Sequence, residues 1–310
     1  MFSNYHLKYF VDAATAQSVS EAARVNRVSS SAISQAIRSL ESHFEMSLLD
    51  HAKKRFILTP EGRHLLKGAT NLLRSVDSLE LDMKNARGAI QGEIFLGTQH
   101  SIAQHLLPEF LAATREKYPA LMPNIHIGTT DVVDRWARER AVDFSISVDN
   151  LAHTTLAKDN IYSGQFLFVA RKDHNTPFER SLFILPGEST NESQMFLSKF
   201  SKIYGRSPDV RMHLKSWSIN MRLAESGYGV SLIPDFIHIC AGSSKLKVLE
   251  SKIPKIPCDI CVFHDPKKWA LSRQSRVFLE DFKAHVTERM GAATKKSRPP
   301  KKDTKTQKRP

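Results

Sequence analysis

Apolar positions in the first ninety residues recur every three or four places; beyond Gly92 they gather into short runs separated by helical stretches. In VSSSAISQAIRSLE, residues 28–41, Ile33, Ile37 and Leu40, continued by Phe44, follow i, i+4, i+7 and i+11. That spacing predicts a helix with one stripe turned to a core. Ser31, Ser34, Gln35 and Arg38 fall on the opposite stripe. Ser29 or Ser30 can cap the helix, which explains one serine or two but not a polar face of short donors ending in arginine. Upstream, YHLKYFVDAATA is amphipathic, Ser18 and Glu21 have capping-box spacing, and Asn26 within RVNRV suits a left-handed turn. Two short helices across a tight break, behind an amphipathic helix, predict a helix-turn-helix. LLDHAKKRFILT then places a basic tip before a β-prone run, as a wing requires.

Thr59 and Pro60 make a cap followed by a first-turn proline. Behind them Leu65, Ala69, Leu72, Val76, Leu79, Met83, Ala86 and Ile90 alternate steps of four and three. A repeat of 3.5 residues held over this length predicts a coiled-coil seam and therefore self-association, with a long helix packed on its own chain as the alternative. Gly68 is the weak point of that helix. From Gly92 the texture is strand, helix, strand: GEIFLGTQ, IAQHLLPEFLAATREKYP, NIHIGTTD, VVDRWARERAVD, FSISVD, and a second round from GQFLFVARKDH to VSLIP. This alternation predicts an α/β unit with a largely parallel sheet.

Composition narrows the function. At 310 residues and 41% hydrophobic the chain can bury more than one core, and no run of about 18 apolar residues suggests a membrane span. The start has no secretion signal, and three cysteines are too few to staple a protein of this size. A soluble, cytoplasmic protein is expected. Of the net charge of +13, seven charges come from residues 293–310, which hold eight Lys or Arg against one Asp, and three prolines. That segment is expected to be disordered, serving either as a phosphate-binding arm or as a solubilising tail. Cys258 and Cys261 have C-x-x-C spacing with His264 nearby, but PCDICVFHD alternates like a strand, so a metal or redox site is disfavoured. No Walker loop, dinucleotide fingerprint, zincin motif or nucleophile elbow is present, and neither a cofactor nor a catalytic residue is expected.

In order and spacing, HLKYFVDAA, SVSEAA, VSSSAISQAIRSLE and LTPEG resemble the winged helix-turn-helix of the LysR-type transcriptional regulators. GYGVSLIP and LLPEF…YP are similar to segments of that family's effector domain. The resemblance implies a mixed architecture: a winged helix-turn-helix at 1–58, a linker helix for dimerisation at 59–91, and an α/β effector domain at 92–292. That domain would have two subdomains resembling periplasmic binding proteins, about 92–163 with 264–292 and about 164–263, joined by strands crossing near 160–165 and 260–265. The basic tail follows at 293–310.

The resemblance makes the serine-headed helix the recognition helix, with Ser29, Ser30, Ser31, Ser34, Gln35 and Arg38 toward double-stranded DNA and Lys53, Lys54 and Arg55 on phosphates. Ser30-Ser31 replace the family's usual Gln-Pro, Gln35 a common arginine, His51 another arginine and Asn26 a core leucine. Gln pairs well with adenine where Arg prefers guanine, so a shifted operator preference is implied. In open α/β sheets a ligand sits beyond the carboxyl ends of strands, against helix N-termini that suit anions. The candidate effector residues are Thr98, Gln99, His100, Ser101, Thr129, Thr130, Asp131, Ser147, Ser216, Trp217 and Ser218. Dimers through Leu65, Ala69, Leu72, Val76, Leu79 and Met83 are implied, and pairing into tetramers is left open. The runners-up are an enzyme with an active site that no motif reveals and an architectural DNA-binding protein that uses the tail.

Overall fold

A computed structural model of the chain describes residues 3–50, 56–84, 90–149, 156–265 and 271–296. The chain divides at Gly92 into two compact units.

The first unit holds α1 (Asn4–Ala16), α2 (Val19–Asn26), α3 (Ser30–Phe44) and α4 (Pro60–Lys84). Leu7 and Phe10 of α1, Ala22 and Ala23 of α2, and Ile33, Ile37 and Leu40 of α3 close one core with Leu48. The two alanines let α2 lie close against its neighbours, as small residues do wherever helices must approach tightly. Ser18 caps α2 by accepting the Glu21 amide, and Ser29 caps α3 by accepting that of Ala32. Two sequence expectations change here. The left-handed residue of the turn is Arg27, with φ 56°, not Asn26. Asn26 instead ends α2 with its amide donating to Asp12 and the Ala22 carbonyl while its oxygen accepts from Lys8, so a polar bridge to α1 stands where a leucine would pack. Phe44, expected on the core stripe, is exposed, because α3 ends there and outruns the helices it packs against.

Leu49 and Leu58 pair across the base of the wing. Its tip, with His51, Lys53, Lys54 and Arg55, lies outside the described residues. Thr59 caps α4 by accepting the Gly62 amide, as its sequence predicts. The seam of α4 divides in two. Leu65 and Ala69 pack into the core of the first unit, whereas Leu72, Leu79 and Met83 are exposed. Ala86 lies outside the described residues. Nothing approaches within 4 Å of a Cβ built on Gly68. Replacing it by Ala should therefore stabilise α4 by about 0.5–1 kcal/mol. A rise in the denaturation midpoint of Gly68→Ala checks this, and an unchanged or lower midpoint contradicts it.

The second unit is built on one nine-stranded sheet among the described residues, ordered β2-β1-β3-β9-β4-β7-β5-β6, with β8 beside β4. Its strands are β1 (Gly92–Gln99), β2 (Leu121–Gly128), β3 (Phe144–Val148), β4 (Ala157–Arg171), β5 (Leu182–Leu185), β6 (Asp209–His213), β7 (Val230–Pro234), β8 (Leu246–Val248) and β9 (Ile256–His264). β1 runs parallel to β3 in one half, and β5 runs parallel to both β6 and β7 in the other; the sheet is nevertheless less parallel than the alternating pattern predicts, because β9 pairs antiparallel with β3, and β4 antiparallel with β7, β8 and β9. Between the halves β4 and β9 pair from Ala157↔His264 to Phe166↔Ile256 and belong to both. The helices are α5 (His100–Lys117), α6 (Thr130–Arg138), α7 (Asn191–Tyr204), α8 (Trp217–Glu225), α9 (Asp235–Ala241) and α10 (Arg273–Lys296). α10 returns to the first half, where Phe278 and Phe282 meet the Phe110 ring of α5 edge-on at 4.9 and 5.1 Å. It runs to Lys296, four residues into the segment expected to lack order; residues 297–310 lie outside the described residues. In the other half Phe168, Phe178, Phe183, Phe196 and Phe200 form one aromatic core.

Candidate DNA-reading helix and effector cleft

The exposed stripe of α3 carries Ser30, Ser31, Gln35 and Arg38, with Ser34 half-buried beside them. Ser29 combines two tasks: its hydroxyl caps the helix and lies 2.7 Å from the Ser31 hydroxyl. Further along the same face Gln35, Arg38, Ser39, Ser42 and His43 line a shallow groove. Ser42 extends the stripe by one turn beyond the predicted residues, and the i+4 step from Arg38 is the signal that reaches it.

In the second unit, a cleft of about 1220 Å³ opens between the two halves of the sheet. Four helices begin on it. The N-termini of α5 and α6 arrive from one half, after β1 and β2, and those of α7 and α8 from the other, after β5 and β6. Each brings amide hydrogens without helical partners and the positive end of a peptide dipole, so their convergence favours negative charge in the space between. His100, Lys215, Arg222 and Lys245 line the same space. Burial first, then the charges of Arg289, His100 and Arg222, push His105 below the usual imidazole range.

Of the expected effector residues, Gln99, His100, Ser101, Thr129, Thr130, Asp131, Ser216, Trp217 and Ser218 all line the cleft. Two do not. Thr98 is fully buried and its hydroxyl donates to the Ile146 carbonyl at 2.8 Å, tying β1 to β3 instead of facing a ligand. Ser147 is likewise buried, inside β3 between β1 and β9. Gln99 holds the first half together, donating to the Thr130 hydroxyl and accepting from the Val148 amide at 3.1 Å. Ser218 reaches across the cleft, 3.2 Å from His105 Nε2 and 3.5 Å from the Ser101 hydroxyl. The sequence reading missed the wall formed by Gly187, Thr190, Glu192, Lys215 and Lys245. The loop after LFILPG follows a parallel strand just as Thr98–Ser101 does, and the same rule applied there would have found it.

Cys258 and Cys261 lie fully buried on β9, away from the cleft lining. Burial pushes the Cys258 thiol well above its usual range and Cys261 up to about 11. Cys240, half-buried on α9, is pushed up by burial as well. All three are therefore weak nucleophiles at neutral pH.

Comparison with known proteins decides the lineage. Residues 87–287 match the LysR substrate binding domain, and residues 5–63 match the bacterial regulatory helix-turn-helix protein of the lysR family. The chain belongs to the LysR family. It is a LysR-type transcriptional regulator with a helix-turn-helix DNA-binding domain and an effector-binding domain, and that family consists of regulators and not enzymes. Among relatives of this LysR-type chain, a probable hydrogen peroxide-inducible genes activator of Mycobacterium xenopi is 31% identical over 168 residues, covering 54% of this chain and 89% of that protein. The regulator YfeR of Shigella flexneri is 25% identical over 255 residues, covering 82% of this chain and 81% of its own. Among solved structures, a full-length OxyR variant from Pseudomonas aeruginosa superposes with a TM-score of 0.65 at 16% identity, covering 93% of this chain and 95% of that one. At that identity the likeness concerns the fold.

Proposed function

We propose that this LysR-type regulator reads operator bases with Ser30, Ser31, Ser34, Gln35 and Arg38 of α3, pairs with a second copy through α4, and changes its DNA affinity when a small anion enters the cleft. The convergence of four helix N-termini beside Lys215 and Lys245 carries the anion reading. The exposed apolar residues of α4 support pairing, because Leu72, Leu79 and Met83 face water in the single chain at the spacing by which one helix of a coiled coil covers another. Binding across two halves hinged on β4 and β9 shifts the protein between arrangements by the ligand's differential affinity for them. No helix among the described residues is long and apolar enough to cross a membrane, and the three cysteines are unpaired. Both observations fit a cytoplasmic protein working in a reducing compartment. Cys258 and Cys261 are fully buried on β9, which argues against those two thiols as the target of peroxide, whatever the input of the mycobacterial relative.

The test is operator affinity of the full-length protein on DNA selected from a random pool, measured by fluorescence anisotropy with and without a panel of carboxylates and phosphates. A sequence-specific site should emerge, at least one anion should change the affinity, and hydrogen peroxide should not. Ser101→Ala with Ser218→Ala should reduce the anion response about tenfold while leaving anion-free binding intact. Selection of no specific sequence contradicts the reading of α3, and indifference to every anion contradicts the reading of the cleft.

A further inference from the structure

Acids line the cleft as well as bases, Asp131, Glu192 and Glu225 beside Lys215, Arg222 and Lys245, and the most buried of the three acids is Glu192, the second residue of α7. It lines the cleft yet is only 4% exposed. Thr190 and the Trp217 indole hydrogen-bond it, and Trp217 is itself held edge-on to Phe166 at 5.8 Å. Burial still raises the Glu192 carboxyl above the usual range, against those bonds. The other acid on this wall, Glu225, is treated differently. Burial works against it too, yet bonds with Ser243 and Arg222 and the nearby Lys245 hold it below the usual range, and Arg222 pairs with it at 2.9 Å. Among the described residues no Lys, Arg or His pairs with Glu192. A buried carboxylate with hydrogen bonds but no counter-charge is costly unless something bound beside it supplies the charge.

We propose that Glu192 selects the effector: the ligand of this cleft is a zwitterion, with its anionic group on the converging helix N-termini and a protonated amine against Glu192. This rests on the cleft being the effector site. A purely anionic ligand gains from the helix ends and the lysines but meets repulsion from Glu192. An amine on the same molecule converts that repulsion into a charge-assisted hydrogen bond in a poorly hydrated place. Trp217, fixed by Glu192 on one side and Phe166 on the other, supplies an aromatic wall for the carbon skeleton between the two poles.

The experiment is calorimetric titration of the full-length protein with matched probe pairs that differ only in an amine: succinate and aspartate, glutarate and glutamate, ethyl phosphate and phosphoethanolamine. In at least one pair the amine-bearing member should bind roughly 30-fold tighter to the wild type, the scale of a buried charge pair. Glu192→Gln keeps an acceptor oxygen for Trp217 and should bring that pair within about threefold, while Glu192→Asp, which keeps the charge, should retain the preference. Wild type binding the amine-free members equally well or better overturns the proposal, and so does a Glu192→Gln variant with the preference intact. Should Glu192→Gln fail to fold, the wild-type pairs and Glu192→Asp still decide. If no anionic probe binds at all, the cleft reading falls and this inference with it; if anions bind and the amine makes no difference, only the inference falls.

Discussion

Leu72→Glu combined with Leu79→Glu will dissociate the protein into monomers and weaken its binding to a two-half-site operator by more than about 100-fold. The size of the effect follows from where the residues sit. Leu65 and Ala69, the first two positions of the repeat, are already consumed by the core of the DNA-binding unit, so the unit should keep its fold when the later positions are changed. Leu72 and Leu79 are 42% and 49% exposed in the single chain and make no part of that core. Glutamates there cost a monomer little, since both positions face water, but in a paired helix each would be buried opposite its own copy. The DNA term follows from geometry. Two recognition helices held on one dimer bind the second half-site intramolecularly, and a monomer loses that advantage entirely. Sedimentation equilibrium and operator titration check the two parts. A double variant of unchanged mass and unchanged affinity would show that α4 is covered by something other than a second copy.

The same helix shows how far the sequence could be read. Its 3.5-residue repeat is visible in the spacing, but spacing alone does not say which apolar residues face the chain's own core and which face outward. Leu65 and Leu72 are alike in pattern and differ only in what lies beside them. The alternation of strands and helices and the loops at strand ends were readable from local rules, whereas the crossing strands, expected near 160–165 and 260–265, came from the family resemblance and not from any local rule; they pair from Ala157↔His264 to Phe166↔Ile256. The place of Thr98 was not readable. It directly precedes Gln99, and period two turns its hydroxyl the other way, to the Ile146 carbonyl, a partner 48 residues away that no local rule supplies. Asn26 was misread for a related reason: its amide completes a bridge to Asp12 and Lys8, and the left-handed bend then falls on Arg27. Glu192 looks in sequence like an ordinary first-turn acid, favourable to a helix start. Only the folded cleft wall, which leaves it 4% exposed, turns it into a buried carboxyl.

Gly164→Ala is expected to be the most damaging single-methyl change in the effector-binding unit, lowering stability by about 2–4 kcal/mol. Gly164 lies on β4 opposite Cys258 of β9, within the pair of strands that belongs to both halves of the sheet. A Cβ built there would stand 2.5 Å from Asp235 Oδ1 and 2.5 Å from Tyr162 Cε1. Neither can give way freely. Asp235 opens α9 with its other oxygen accepting the Gln165 amide at 2.9 Å and the Tyr162 hydroxyl at 3.0 Å, so displacing it leaves buried donors without a partner. Burial, opposed by the bonds from Gln165 and Tyr162, raises the Asp235 carboxyl above the usual range. The folded protein therefore holds this proton at a pH where the unfolded chain has released it. The associated stability is fully present below the unfolded value, near 3.9, and is lost as pH rises through the raised one. Asp235→Asn should flatten that part of the pH profile. Tyr162→Phe removes one bond without a clash and should cost only about 1 kcal/mol. Thermal and urea unfolding of Gly164→Ala and Tyr162→Phe, side by side, test the ranking. Equal small losses in both would mean that β4 shifts easily at Gly164, and that the clasp between Asp235 and the crossing strand is looser than its bonds imply.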